Sequence, residues 1–194
     1  ETTMKMKKIL ALLCALAMVF TLAACGGGDD AADDNNGGDT ATDGEEVTMK
    51  TVTLGDVSID LPDFFGEPQE TSSGALGVAG PESSVTVAGP VEMDITLDMW
   101  SEEFAEASLE GLFGATYTDL TLISFQGPAD FDGTPGVVLA FGGTNSKGVD
   151  RVVYNVYLYD DTQGDYVVSY MRSLENPQID EDMDAAIVGS ITLG

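Results

Sequence analysis

The sequence predicts an α+β fold in which an antiparallel sheet packs with helices as a layered sandwich. Three observations carry that prediction. Between residues 120 and 171, apolar residues alternate with period two in four successive runs joined by short turns, the pattern of an antiparallel meander. Two segments, beginning at Asp98 and Asn176, instead space apolar residues three and four apart, as amphipathic helices do. The element order is hairpin, one or two strands, helix, four-strand meander, helix, which leaves helices clustered around one sheet.

The elements follow in chain order. Val47 to Leu61 reads as two strands around Gly55-Asp56, with Val57, Ile59 and Leu61 alternating; Pro62 ends the second. Phe64 and Phe65 sit in the next turn and should cover one edge of the core. Residues 67–74 read as a loop. Ala75 to Ala79 is a weak strand interrupted by Gly77, and Ser83 to Ala88 a better one, closed by Gly89-Pro90. Val91, Met93, Ile95 and Leu97 alternate as a strand or an extended lead-in. Asp98 is the expected N-cap of a helix with Glu102 and Glu103 in its first turn. Trp100, Phe104, Ala105, Ala107, Leu109 and Leu112 form its apolar arc, and its glutamates a solvated face. The meander strands are Leu120–Phe125, Gly136–Phe141, Arg151–Tyr159 and Asp165–Met171. Gly127-Pro128 and Asp132-Gly133 bound a loop between the first two, and Gly142 to Gly148 forms a turn. Asn176 caps the last helix, with Pro177 at its first position and Ile179, Met183, Ala186 and Ile187 as its stripe. Ser190 to Leu193 returns to a sheet edge.

The N-terminal region has a different character. Lys5, Lys7 and Lys8 precede an apolar run, Ile9 to Ala24, broken only by Thr21, and then Leu22-Ala23-Ala24-Cys25. That is the layout of a secretory signal, with translation expected to start at Met4 or Met6. Leu22-Ala23-Ala24-Cys25 resembles the lipobox of bacterial lipoproteins. The resemblance implies a signal peptide over residues 1–24, diacylation of Cys25, and a protein held on the extracytoplasmic face of the cell membrane. Two acyl chains hold a soluble protein on a bilayer where one alone is marginal. Residues 25–46 are rich in Gly and Asp and lack any aromatic residue, so a disordered acidic spacer is expected there. Residues 47–194 remain for one α+β domain. Cys14 falls in the signal, so the body contains no internal disulfide.

Charge narrows the partners. The chain holds 34 acidic and seven basic side chains and no His, for a net charge of −27. Cleavage before Cys25 removes one acid and three lysines, leaving 33 acids against Lys50, Lys147, Arg151 and Arg172. Phosphate binding wants a basic face, so no nucleic acid partner is expected. Cationic partners or divalent cations would be attracted.

The body resembles the PsbP-like group. The matching pieces are Val57-Ser58-Ile59-Asp60-Leu61-Pro62, the helix from Asp98, Gly133-Thr134-Pro135-Gly136 entering a strand, the Tyr166 strand, and Ile187-Val188-Gly189-Ser190-Ile191. The resemblance implies a PsbP-like sandwich over roughly residues 50–192. Its members include a nuclear transport factor that binds a small GTPase and a subunit of the photosynthetic oxygen-evolving complex, so it implies a binding role. It brings no catalytic residues.

The residues themselves offer little chemistry. Without His there is no His-based triad, no His-rich zinc site and no zincin motif. Gly142 to Gly148 has the wrong spacing for a phosphate loop and reads as a hairpin turn. Three readings follow. The first is a non-enzymatic membrane-anchored lipoprotein that binds a protein or envelope component, with Tyr157, Tyr159, Tyr166 and Tyr170 as its interface, since Tyr suits interfaces. The second is a lipoprotein for a small ligand or divalent cation, with weak calcium binding at Asp160, Asp161 and Asp165. The third is a carboxylate-based hydrolase, which needs two converging acids in a groove. The first is preferred; no catalytic residue and no obligatory cofactor are expected.

Overall fold

The computed structural model describes residues 47–194. The expected signal peptide, the expected lipidation at Cys25 and the expected spacer fall in residues 1–46, outside the described residues. Strands β1 (Met49–Leu54) and β2 (Val57–Pro62) pair antiparallel with Leu54 opposite Val57. Gly55 supplies the positive φ, +66°, that this two-residue turn needs. Val57, Ile59 and Leu61 point inward and are fully buried. Phe65 follows them into the core, with Phe64 packed against its margin.

Next come β3 (Gln69–Glu70), β4 (Leu76–Gly80) and β5 (Ser83–Val91). The 67–74 loop therefore contains a two-residue strand. Gly89-Pro90 does not close β5: the strand continues to Val91 across a register shift after Ala88. A side chain at Gly89 would overlap the Tyr166 ring, so only glycine fits there. Residues 92–96 are an irregular lead-in with a bend at Asp94-Ile95, and Leu97–Met99 is a 3-10 turn.

Helix α1 (Glu102–Phe113) is capped by Ser101 rather than by Asp98. Ser101 has extended backbone, and its hydroxyl accepts from the Phe104 N–H at 3.1 Å; such a cap is worth about 1 kcal/mol. Asp98 lies in the 3-10 turn instead, accepting from the Thr96 hydroxyl at 2.6 Å. Ala105, Leu109, Leu112 and Phe113 are buried, whereas Ala107 is exposed.

The meander consists of β6 (Tyr117–Phe131), β7 (Thr134–Asn145), β8 (Asp150–Leu158) and β9 (Asp165–Ser173). The loop expected from Gly127 to Gly133 is strand up to Phe131, with only Asp132-Gly133 as the turn. Three register shifts along the β6–β7 ladder absorb the irregular residues. Proline is tolerated because β6 is the edge of its sheet, where one row of ladder donors is not needed. Likewise β7 runs through Gly142-Gly143 to Asn145.

Helix α2 (Glu181–Gly189) starts later than expected. Asp180 is its cap, accepting from the Met183 N–H at 2.9 Å. Asn176 fixes the preceding turn: its amide donates to the Pro81 carbonyl at 2.8 Å, and its carbonyl accepts from the Gln178 N–H at 3.0 Å. Ile179 and Ile187 are buried, but Ala186 is exposed and Asp184 takes an inward position. Strand β10 (Thr192–Leu193) returns to pair with β2.

Two sheets result, ordered β1-β2-β10 and β3-β4-β5-β9-β8-β7-β6, with every ladder antiparallel. The fold is α+β but dominated by strands. Alternation along the large sheet sends Val138, Val156, Val168 and Tyr170 to one face, against the small sheet and Ile187 of α2. It sends Val137, Leu139, Phe141, Val153 and Tyr157 to the other, against α1. Three layers follow, with the large sheet in the middle. Among the described residues, no helix is long and apolar enough to cross a membrane.

Candidate functional site

The β8–β9 turn organises a groove at one end of the large sheet. Asp160 begins that turn, and its Oδ1 accepts from the Thr162 N–H (2.7 Å), the Thr162 hydroxyl (2.6 Å) and the Gln163 N–H (2.7 Å). These bonds hold the Asp160 carboxyl below its ordinary pKa. Gly164, at φ +93°, closes the turn with its N–H on the Asp160 carbonyl. Asp165 opens β9, and its Oδ2 accepts from the Met93 N–H at 3.2 Å, drawing the lead-in to α1 alongside. Gly133 of the β6–β7 turn, with Thr134 and Pro135 at the start of β7, forms the facing wall. Together they enclose about 560 Å³, with Asp98, Asp160, Asp161 and Asp165 on the lining and no Lys or Arg.

Tyr159 connects this groove to the core. Its hydroxyl accepts from Trp100 Nε1 at 2.5 Å and donates to the Ile95 carbonyl at 3.0 Å. Burial pushes its pKa up to about 12 despite the Trp100 bond, so the phenol stays neutral over the whole physiological range. Trp100 in turn packs among Tyr157, Phe104 and Phe125, at ring-centroid distances of 4.9, 5.4 and 6.3 Å. Trp100 and Phe104 are therefore core, not a ligand box. Asp98, Tyr159, Asp160 and Asp165 on the groove lining are each hydrogen-bonded to a neighbour.

The structure separates the four tyrosines of the expected interface. Tyr159 is half-buried and lines the groove. Tyr157, Tyr166 and Tyr170 are 3%, 2% and 1% exposed, which removes them from any surface. The reason is that both faces of the large sheet are covered, so either alternation leads inward. The Tyr166 hydroxyl donates to Asp56 at 2.8 Å and the Tyr170 hydroxyl to Asp184 at 2.7 Å; the Tyr157 hydroxyl has no partner. At the calcium site expected at Asp160, Asp161 and Asp165, the three carboxylates have different surroundings. Among the described residues, no three carboxylate, Cys or His side chains are grouped to hold a metal ion. Asp160 and Asp165 already serve backbone N–H groups, which leaves Asp161 exposed on the turn.

Sequence reasoning missed one constellation. Arg172, buried on β9, donates Nε to both carboxylate oxygens of Asp184 (2.9 and 2.8 Å) and pairs through Nη2 at 2.7 Å. Tyr170 and Tyr154 donate to the same carboxylate, at 2.7 and 3.2 Å. The Asp184 bond raises the pKa of Arg172, and burial raises that of Tyr170. The available signal was register: Arg172 continues the inward series Tyr166, Val168, Tyr170. The network clamps α2 to the large sheet and has no opening to solvent at Asp184, so it is structural.

No protein-family model matches the chain, and no curated protein sequence matches it. Similarity appears among solved structures. Cyanobacterial PsbP (CyanoP) from Synechocystis sp. PCC 6803 superposes with a TM-score of 0.54 at 10% identity, covering 80% of this chain and 98% of that one. The Saccharomyces cerevisiae Ran-binding protein Mog1p gives a TM-score of 0.47 at 14% identity, covering 76% and 96%. The fold is PsbP-like. The CyanoP likeness is one of backbone architecture, and residues do not transfer at this identity.

Proposed function

We propose that this chain is a non-enzymatic binding domain, carried on the extracytoplasmic face of the cell membrane by lipid on Cys25, that holds a cationic protein or envelope component. The observation that carries the reading is the groove: a carboxylate-lined concavity without a basic side chain. Asp160 is held ionised by three turn bonds, so it adds negative charge to the lining and does not deliver protons. The phenol of Tyr159 is held neutral and is a poor base at neutral pH. The resemblance of the body to the PsbP-like group supports the same class of role. The lipobox-like Leu22-Ala23-Ala24-Cys25, followed by an acidic spacer, supports placement at the membrane, away from anionic headgroups.

The test has two arms. Expressed in a bacterium with labelled palmitate, the full chain is expected to take up label and sediment with membranes, and Cys25→Ser to do neither. An unlabelled wild-type chain removes the anchor from the proposal. Immobilised chain is then challenged with hen lysozyme as a cationic protein, in rising salt. Retention by wild type and its loss in Asp161→Asn/Asp98→Asn support the groove. Equal retention by both proteins places binding elsewhere.

A further inference from the structure

The long edge of the large sheet is a second place where a partner can be held, and its chemistry selects the partner. Strand β6 is fifteen residues long and has a ladder on one side only, to β7. Among the described residues, no backbone hydrogen bond outside that ladder involves residues 118–131. Its outer N–H and C=O groups therefore face solvent, which is a template for an added strand. Pro128 lacks a donor and ends the template at Gln126. Within Tyr117–Gln126 the ladder to β7 shifts register after Thr118 and again after Leu122, and Asp119 has φ +55°, so an added strand pairs with the regular runs Thr121–Leu122 and Ser124–Gln126 and must follow the bulge between them. Ile123, at the middle of that stretch, is 54% exposed and offers an apolar contact to an incoming side chain.

Charge decides what can approach. α1 packs over β6, through Leu120, Leu122 and Phe125 at the margin of its core. Its Glu102, Glu103, Glu106 and Glu110 are all exposed, as is Asp119 on β6 itself. Neither β6 nor α1 contains a Lys or Arg. A second copy of this chain pairing edge to edge would bring these carboxylates against their equivalents, where like charges oppose association. A strand bearing Lys or Arg on alternate positions would find the opposite.

We propose that the β6 edge between Tyr117 and Gln126 binds an extended, Lys- or Arg-bearing segment of a partner protein by strand addition. The inference shares the binding-domain reading but does not depend on the groove.

The probe is a fluorescein-labelled synthetic peptide of alternating Lys and Val, offered to the full chain at low ionic strength. Three comparison peptides have the same length: one of alternating Glu and Val, one of the same Lys/Val composition interrupted by Pro, and an unlabelled competitor. The alternating Lys/Val peptide is expected to bind and to slow amide exchange within Tyr117–Gln126. The Pro-interrupted peptide should bind about tenfold or more weakly, because it cannot extend the ladder. Ile123→Lys, at an exposed position, should cost a similar factor. Binding without new protection in β6, or equal binding of the Glu/Val peptide, overturns the proposal. Protection of β6 that depends on protein concentration without peptide also overturns it, assigning the edge to a second copy. Loss of peptide binding in Asp161→Asn with no loss in Ile123→Lys overturns the edge while leaving the groove and the binding-domain reading intact.

Discussion

Removing the Asp184 carboxylate tests how α2 is held. In Asp184→Ala the Arg172 guanidinium, 5% exposed, loses its two Nε bonds and its Nη2 pair. The Tyr170 and Tyr154 hydroxyls lose an acceptor at the same time. Breaking a buried pair by removing one partner costs about 3–5 kcal/mol, because a charge remains buried without compensation. Native stability of a domain is about 5–15 kcal/mol, so this single change consumes a large part of it. The companion variant Arg172→Met/Asp184→Leu removes both charges and fills the space with apolar groups, and such replacement is often neutral or stabilising. Urea unfolding followed by far-ultraviolet circular dichroism is the assay. The expected order is wild type highest, the double variant lower by about 1–3 kcal/mol for a buried Tyr170 hydroxyl left without its acceptor, and Asp184→Ala lowest. A loss below about 1 kcal/mol in Asp184→Ala refutes the claim that the pair is desolvated, since that is the range of exposed pairs. A double variant as weak as the single one refutes the claim that uncompensated charge is the cause.

Three further outcomes are expected. Burial raises the tyrosine pKa values at Tyr117, Tyr154 and Tyr159 to about 12. The folded state therefore retains protons that the unfolded state releases above pH 10, so stability is intact below pH 10 and falls as pH rises towards 12; tyrosinate absorbance and circular dichroism should change together in an alkaline titration. Gly89→Ala forces a Cβ into the Tyr166 ring and should destabilise by about 1–3 kcal/mol, whereas Gly111→Ala, in open space on α1, should be neutral or stabilising by up to about 1 kcal/mol; parallel thermal melts decide it. Trp100→Ala should cost about 3–5 kcal/mol and release the lead-in to α1, read as faster amide exchange over residues 93–99.

What was legible in the sequence was what period and turn chemistry determine. The β1–β2 hairpin follows from Gly55-Asp56 between two alternating runs, and the meander from four such runs. Boundaries failed where a residue's ordinary meaning was overridden by position. Gly127-Pro128 reads as a breaker, but on an edge strand a bulge absorbs it. Asp98 and Asn176 are good caps by type, but the chain reaches helical geometry only at Ser101 and Asp180. The tyrosines misled because alternation shows which residues share a face without showing whether that face is covered. Both faces of this sheet are covered, by layers whose members are far apart in the sequence. The groove was half legible: Tyr159, Asp160, Asp161 and Asp165 stood out, but the approach of Asp98 and the Gly133-Thr134-Pro135 segment is tertiary.

The small sheet joins distant parts of the chain. β2 has β1 on one side and β10 on the other, and the Asp60 N–H donates to Ser190 Oγ across 130 positions of sequence. The meander, by contrast, pairs each strand with its immediate successor. Closing long loops costs entropy before contacts reward it, so the meander organises early and the β1-β2-β10 layer docks late. A chain emerging in order holds Val57, Ile59 and Leu61 without their full cover until the large sheet and then Ile187 and Ile191 arrive. During that interval its apolar hairpin is surface on which a folding chain can associate wrongly.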